Sequence, residues 1–380
     1  MTATEVFDLL VVGAGPGGSA AALGALRGRP TARVLILDRA PLGRDKVCGD
    51  AVGPDAVTEL ADLGLTDLLR PEERVSRFRL ATASGADMVG LAPAPGYVVP
   101  RAEFDFRLVT AAIAAGAIVR HHTVREIQQH ADRVVVDGRY AAPVLIGADG
   151  ANSTVRRATG QPPNRGRHLA VAVRGYAPAP DGFDGFDELY VRWDPVPGDG
   201  LGYAWAFPTV HATVNVGYGT AAPNTSKAHL RNRAIELLPG FAIESTRMTG
   251  HLLPLSTDTP RPAVGRVLLV GDAASVVNPL TGEGIFYALA SGALAGRAAV
   301  AADAGVGGAY TRALRARFGR QRRQLRALSR LIDRPGAVEA FVRACGRDDR
   351  VFWQLLSVGL GEGTLGIADL ARFTAAAWGR

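Results

Sequence analysis

The stretch that decides the fold lies near the start of the chain: FDLLVVGAGPGGSAAALGALRG, residues 7–28. It reads as an apolar strand, a Gly-rich turn and an Ala-rich helix, and the turn carries Gly13, Gly15 and Gly18 in G-x-G-x-x-G spacing. The first glycine of this pattern permits a tight turn, the second lets the backbone approach a pyrophosphate, and the third lets the helix pack on the strand. The N-terminus of the helix offers free N–H groups to the phosphates.

The segment after this helix supports the same interpretation. A second apolar strand, within ARVLILDRA (32–40), ends in Asp38, twenty residues after Gly18. A carboxylate at this distance accepts hydrogen bonds from the adenosine ribose hydroxyls of a dinucleotide. A Gly-rich turn alone is a weak signal, but the strand, helix and acid together predict a dinucleotide site and not a purely structural turn.

The same glycine spacing recurs at Gly361, Gly363 and Gly366. No strand-like run precedes this second match, and no acid follows it at the ribose distance. We therefore predict a loop there, a single dinucleotide site in the chain, and no separate nicotinamide domain.

Two further apolar strands end in an aspartate. Asp149 follows the strand in VLIGADG (144–150), and Asp272 ends VLLVGD (267–272), ahead of a Pro- and Gly-rich loop. Each aspartate has an alternative structural role as a helix N-cap. In an open α/β sheet, however, ligands gather outside the carboxyl ends of the strands, and three such strand ends favour one shared ligand site.

Composition sets the broad class. The chain has 380 residues, 47% of them hydrophobic, which predicts a globular protein of two or three domains. The net charge is +7, and of the 43 basic residues only Lys46 and Lys227 are lysines. Such an arginine bias is typical of a GC-rich genome, so it does not favour nucleic-acid binding.

One stretch concentrates the arginines. TRALRARFGRQRRQLRALSRL (311–331) has apolar residues at near-helical spacing with arginines between them. It predicts a helix with a solvated basic face, and the alternative is a surface attracted to anionic lipid or to a substrate phosphate.

Cysteine usage and hydropathy indicate the compartment. Cys48 and Cys345, the two cysteines, cannot form a disulfide framework, which favours a reducing cytoplasm. We find no uninterrupted apolar run of about 18 residues and no basic-led signal peptide. We expect a cytoplasmic protein, with peripheral contact to a membrane as the alternative, and no metal site.

The order of five motifs resembles the geranylgeranyl reductase family of FAD-dependent oxidoreductases, within the p-hydroxybenzoate-hydroxylase-like group. After the first Gly-rich turn come RDKVCGD (44–50), IGADGANSTVRR (146–157), GYAWAFP (202–208) and VLLVGDAASVVNPLTGEGIFYALASG (267–292). The resemblance covers roughly residues 5–300, and the last 80 residues match only as a loosely helical tail.

The resemblance implies FAD as the cofactor and assigns roles to its binding residues. Gly13, Gly15, Gly18 and Asp38 would form the adenosine diphosphate site. Arg101 would contact the phosphate or sugar region, and Asp149 would organise the site without direct contact. Asp272 would hold the ribityl chain and pyrophosphate. The residues beside the flavin ring would be Lys46, Cys48, Gly49, Pro279, Gly282 and Gly284.

The resemblance also implies a substrate site. Tyr203, Trp205, Phe207 and Pro208 match the Y-x-W-x-F-P signature that shapes a prenyl tunnel in this family, and Tyr203 and Trp205 join Cys48 as candidate catalytic residues. The strands expected between residues 161 and 261 hold two of the four tryptophans and several tyrosines, which suits an apolar substrate.

Together these features predict an α/β protein, α+β overall. A Rossmann-like FAD-binding domain would comprise residues 1–75, 100–160 and 262–300. A mostly antiparallel substrate-binding sheet, residues 76–99 and 161–261, would be inserted in it, and residues 301–380 would form a helical C-terminal region.

The leading functional hypothesis is reduction of C=C bonds in an isoprenoid chain, such as a prenyl lipid, a prenyl diphosphate or a quinone side chain. Hydride would come from N5 of the reduced flavin, followed by protonation of the other alkene carbon. Either NAD(P)H or ferredoxin would supply the electrons. Cys48 could donate the proton, because a thiol with an ordinary pKa near 8.5 is neutral at pH 7, or could merely pack as a small apolar side chain.

Three alternatives stay open at this point. A flavin monooxygenase or oxidase acting on a natural product has the same cofactor signature. GYAWAFP differs at two positions from the G-W-x-W-x-I-P signature of flavin-dependent halogenases, but no lysine lies between Lys46 and Lys227, where those enzymes need one. The third is a flavoprotein that only passes electrons or binds prenyl chains.

Asp50 departs from the family pattern, because many family members have a small residue at this position.

Overall fold

The computed structural model describes residues 4–378, except 184, 186, 197–199, 223, 302–304, 333 and 335. Three sheets organise this part of the chain. The smallest has four strands that come from the first residues of the chain and from the meander before Asp149. In sheet order they are Glu5–Val6, Tyr140–Ala142, Val134–Val136 and Ile127–Gln129.

A six-stranded sheet carries the predicted cofactor motifs. Its strands, in order, are Ala263–Val264, Val267–Leu269, Leu145–Gly147, Leu9–Val12, Val34–Asp38 and Ile118–His121. All neighbours pair in parallel except the first two. Parallel strands end at the same edge, so Asp272, Asp149, Gly13 and Asp38 lie along one edge of this sheet, as the sequence predicts.

Helices cover this sheet and connect its strands. The helices of this part are Pro16–Gly28, Pro54–Asp62, Arg101–Ala114, Thr154–Ala158 and Ile285–Ala301, with 3-10 turns at Pro71–Glu73 and Gly271–Ala274. The first and last of the five helices pack so closely that a Cβ at Gly296 would lie 1.9 Å from the Ala21 carbonyl oxygen. The Ala- and Gly-rich sequence of both helices permits this contact.

An eight-stranded sheet forms the second layer. Its order is Thr249–Pro254, Leu169–Pro178, Thr213–Thr220, Gly200–Pro208, Glu188–Val196, Arg74–Thr82, Asp87–Val98 and Ala51–Val52. Only the pair of Glu188–Val196 with Arg74–Thr82 is parallel. The mostly antiparallel sheet expected from the sequence is therefore confirmed, and helix Lys227–Leu237 packs on one of its faces. A 3-10 turn, Gly166–His168, leads into its second strand.

The C-terminal region is helical, as predicted, with helices Val306–Ile332, Ala337–Arg347, Asp349–Leu360 and Ile367–Trp378. Two of them bury Val342, Cys345 and Phe352 against Phe78 and Trp193 of the eight-stranded sheet. The second glycine match, residues 361–366, is a loop between two of these helices, as expected. Among the described helices, none combines the length and apolarity needed to cross a membrane.

Candidate active site

The first Gly-rich turn is closed on its inner side and open on its outer side. Gly13 has φ +105°, and a Cβ there would lie 2.3 Å from the Ala148 carbonyl oxygen. A Cβ at Gly18 would lie 1.8 Å from the Gly13 carbonyl oxygen, whereas at Gly15 the nearest described atom would be 3.9 Å away. Gly15 precedes helix Pro16–Gly28 without a side-chain cap, so the N–H groups of the first turn are available to phosphate oxygens.

Asp38 is fixed at the mouth of this turn. One carboxylate oxygen accepts the Ala14 N–H at 2.7 Å and the other accepts the Ala40 N–H at 2.8 Å. A carboxylate oxygen has more than one acceptor site. The side chain therefore has acceptors left for ribose hydroxyls.

We expect Asp38→Ala to weaken FAD binding by roughly 10-fold to 100-fold, because each charge-assisted hydrogen bond contributes about 1.5–3 kcal/mol. Titration of the apoprotein with FAD, followed by flavin fluorescence, measures this. Asp132→Ala, at an exposed turn, is the matched control. Equal affinity of the two variants would contradict the role of Asp38.

Both carboxylate oxygens of Asp149 are engaged by the segment that follows it. Its carboxylate accepts Ser153 Oγ–H at 2.5 Å and the Thr154 and Val155 N–H groups at 2.6 and 3.1 Å. These bonds anchor the start of helix Thr154–Ala158, while the neighbouring Ala148 carbonyl packs over Gly13. This geometry agrees with a residue that organises the site without direct contact.

Asp272 links two distant segments. Its carboxylate lies 3.1 Å from Lys46 Nζ and 3.8 Å from His251 Nε2. Burial alone would raise the pKa of Asp272, but the hydrogen-bonded Lys46 ammonium and the nearby His251 ring outweigh it and hold the pKa well below its usual range. The carboxylate is thus charged and ties the loop around Lys46 to the edge of the six-stranded sheet.

A cavity of about 260 Å³, here called the central cavity, lies between the edge of the six-stranded sheet, the eight-stranded sheet and the C-terminal helices. It brings together most of the residues expected beside the flavin or the substrate. These are Lys46, Cys48, Gly49, Arg101, Tyr203, Trp205, Phe207, Asp272, Pro279, Gly282 and Gly284. Pro208 does not line this cavity, because side chains alternate along strand Gly200–Pro208 and place it on the other face.

The three aromatic residues of that strand form one continuous wall. The ring centroids of Tyr203 and Trp205 are 5.8 Å apart, and those of Trp205 and Phe207 are 6.5 Å apart. A Cβ at Gly49 would lie 3.1 Å from the Phe207 ring, so this glycine lets the Cys48 loop approach the wall. The Tyr203 hydroxyl donates to the Thr281 carbonyl and fixes the loop that carries Pro279 and Gly282.

The Cys48 loop is held by two polar side chains of the eight-stranded sheet. Arg174 donates to the carbonyl oxygens of Cys48 at 3.1 Å and Lys46 at 2.8 Å, and Asn215 Nδ2 donates to Cys48 O at 2.8 Å. The thiol lies beside Arg101, which forms a bidentate ion pair with Asp105. Burial raises the pKa of Cys48 despite this nearby cation, so the thiol is neutral at pH 7.

Comparisons with known proteins agree with this geometry. The FAD binding domain family matches residues 6–179. The chain is 35% identical over 310 residues to menaquinone reductase of Mycolicibacterium smegmatis, covering 76% of this chain and 75% of the relative. It is 33% identical over 324 residues to digeranylgeranylglycerophospholipid reductase 1 of Methanopyrus kandleri, covering 78% and 81%. The chain belongs to the geranylgeranyl reductase family.

The fold of this family member matches a solved structure over nearly its whole length. A geranylgeranyl bacteriochlorophyll reductase-like protein of Thermoplasma acidophilum superposes with a TM-score of 0.79 at 21% identity, covering 99% of this chain and 97% of that one. The C-terminal helices, which the motifs did not cover, are therefore part of the shared fold.

The protein is an FAD-binding oxidoreductase, and its residues fit the cofactor. The open side of Gly15 and the uncapped helix start would accommodate a pyrophosphate. The charged Asp272 carboxylate and the glycines of the 279–284 loop border the central cavity, where a flavin ring would lie. The individual roles assigned to these residues stay predictions.

Two buried acids of this reductase-family site were not predicted. Asp50 is fully buried with φ +66°; its Oδ2 accepts Tyr176 O–H at 2.5 Å and Asn215 Nδ2–H at 2.7 Å, and Oδ1 has no hydrogen-bond partner among the described residues. Burial raises its pKa to about 6. Glu283 lines the central cavity, and burial raises its pKa to about 7. In each loop the acid stands between two small residues, and this pattern could have indicated a buried acid in the sequence.

The far wall of the central cavity was missed as well. It is formed by side chains of two C-terminal helices, namely Phe341, Cys345, Phe352, Leu355 and Leu356. Helical periodicity shows that such residues are buried but not which cavity they border.

Proposed function

We propose that this protein reduces C=C bonds in an isoprenoid chain. The observation that carries this proposal is the central cavity, which runs from Cys48 and the 279–284 loop to apolar side chains such as Phe352 and Leu355. Aromatic and aliphatic walls bind an extended hydrocarbon chain by burying apolar surface. The relatives named for menaquinone and for digeranylgeranylglycerophospholipid support the same substrate class.

The chain's own residues would position the alkene and supply a proton. When bound in reduced form, FAD supplies a hydride to one alkene carbon. Cys48 Sγ–H gives its proton to the other carbon, and solvent later restores the thiol. An isolated alkene offers no group to accept negative charge, so the rate depends on holding the chain close to the thiol. The wall formed by Tyr203, Trp205 and Phe207 provides that alignment.

Tyr203 has a positioning role in this proposal. Its hydroxyl proton is engaged by the Thr281 carbonyl, and burial raises the pKa of the phenol above its usual value. Because its proton is already donated to the Thr281 carbonyl, Tyr203 is poorly suited to protonating the substrate. Trp205 is likewise engaged, since its indole N–H donates to Asn215 Oδ1 at 2.9 Å.

We also propose the division into domains that the sequence suggests. Every strand of the six-stranded and four-stranded sheets falls within residues 1–75, 100–160 and 262–300. The eight-stranded sheet draws on residues 76–99 and 161–261, and additionally on Ala51–Val52 and the first residues of Arg74–Thr82. In the C-terminal region, residues 301–380, helices Ala337–Arg347 and Asp349–Leu360 close the central cavity.

Anaerobic mixing of the chemically reduced holoenzyme with geranylgeranyl diphosphate tests the function. We expect the visible absorbance of oxidised flavin to return and the product mass to rise by two hydrogens for each bond reduced. Geranyl diphosphate, which has the same head group on a shorter chain, serves as the matched substrate control for chain length. A flavin that stays reduced without oxygen, yet yields an oxygenated product in air, would overturn the proposal in favour of a monooxygenase.

A further inference from the structure

A second cavity adjoins the central cavity and has a different chemical character. Its volume is about 820 Å³, and it shares Leu201, Ala221, Leu255 and Pro279 with the central cavity. The rest of its wall is largely polar and cationic. The basic side chains are Arg167, His168, His229, Arg326 and Arg330, and we call this space the basic cavity.

Arg167, Arg326 and Arg330, the arginines that line the basic cavity, form no ion pair within the described part of the chain, and the neighbouring Arg322, which lies outside the lining, forms none there either. Arg326 Nε is buried without a hydrogen-bond partner there. Arg322, one turn earlier on helix Val306–Ile332, donates only to Thr259 Oγ1, and its Nε is also buried and unpartnered in the described structure. Burial and the adjacent positive charge of Arg326 both lower the pKa of Arg322.

Another arginine of the same helix, Arg317, has acidic partners. Arg317 pairs with Glu59 and with Glu362, each at 2.7 Å. Arg323 is exposed to solvent and does not line either cavity. The solvated basic face expected from the sequence therefore describes Arg323 but not Arg326.

Adjacent guanidinium groups that lack carboxylates raise the free energy of the protein, and a bound anion would lower it. Guanidinium groups bind phosphate with paired, charge-assisted hydrogen bonds. Leu255 and Pro279 would separate a phosphate in the basic cavity from the flavin side of the central cavity.

We propose that the basic cavity binds the phosphate or diphosphate end of an isoprenoid substrate whose hydrocarbon chain occupies the central cavity. This inference rests on the proposed function. It selects a phosphate-bearing prenyl substrate over a prenyl quinone, because a quinone ring carries no charge to neutralise Arg326.

Binding of pyrophosphate to the holoenzyme, measured by calorimetry, tests the site without turnover. We expect Arg326→Gln to weaken binding by roughly 10-fold to 100-fold, since charge-assisted hydrogen bonds are lost. Arg323→Gln removes the same charge from the same helix and is expected to bind like the wild type. Absence of binding to the wild type, or equal losses in both variants, would overturn the proposal.

Steady-state kinetics then identify the source of the phosphate. With geranylgeranyl diphosphate, Arg326→Gln is expected to raise KM by a similar factor, while KM for geranylgeraniol stays unchanged. If the variant instead impairs flavin reduction by NADPH but not by NADH, the site serves a dinucleotide phosphate and the substrate assignment is overturned. If pyrophosphate binding depends on Arg326 but no isoprenoid is reduced, the anion site stands and the proposed function fails.

Discussion

Replacing Cys48 with alanine is expected to slow product formation by about 10²–10⁴-fold, the usual contribution of a positioned acid, while FAD content stays that of the wild type. The thiol lines the central cavity, and burial raises its pKa, so it carries a proton at pH 7. The loop itself would keep its position, because Arg174 and Asn215 bind backbone carbonyls and not the thiol. Single-turnover oxidation of pre-reduced enzyme by an isoprenoid, without oxygen, measures the rate.

Cys48→Ser separates proton donation from packing. Serine keeps the shape and a hydroxyl, but the hydroxyl is far less acidic, so a proton-donor role predicts a slow Ser variant as well. A packing role predicts that both variants lose less than about tenfold in rate. Reduction of the bound flavin should be unaffected in both. Wild-type rates of product formation in both variants would remove Cys48 from the mechanism.

The free energy of unfolding of the wild type is expected to fall by about 3 kcal/mol as pH rises and Asp50 loses its proton. Asp50→Asn is expected to abolish this fall. The native pKa of Asp50 is about 6, above the ordinary value near 3.8. The native state therefore holds a proton that the unfolded state has lost, and the wild type loses stability as pH rises from about 4 to about 6. Asparagine does not titrate, and its side-chain oxygen still accepts from Tyr176 and Asn215.

Denaturant unfolding of wild type and variant at several pH values between 4 and 7 checks this. The free energy of unfolding of the variant, minus that of the wild type, should rise by about 3 kcal/mol across that range and be constant above it. Asp132→Asn, with the aspartate side chain 70% exposed, is the control and should show no comparable trend. A pH-independent difference for Asp50→Asn would show that the carboxyl is already charged at pH 4.

Sequence alone determined the cofactor part of this protein. Two local patterns predict the backbone conformation of their own segments. They are the spacing of Gly13, Gly15 and Gly18 and the aspartates that follow apolar strands. Because parallel strands end at one edge, these patterns also predicted that Asp38, Asp149 and Asp272 converge. The same local logic identified the family, the mostly antiparallel sheet and the helical end of the chain.

Local patterns did not determine which side chains reach a cavity. The Y-x-W-x-F-P signature suggested four substrate residues, but the two-residue period of a strand places only Tyr203, Trp205 and Phe207 in the central cavity. The arginine-rich stretch predicted one solvated basic face, and a helix period cannot show which arginine meets a cavity instead of water.

Tertiary structure alone decided what surrounds the reacting groups. Arg174 and Asn215 reach the Cys48 loop from positions more than 120 residues away, and Phe352 closes a cavity that begins at Cys48. Such contacts depend on sheet register and on how two layers pack, which no single segment specifies. The raised pKa of Asp50 and the unpaired charge of Arg326 arise in the same way, because burial and missing counter-charges are properties of the assembled chain.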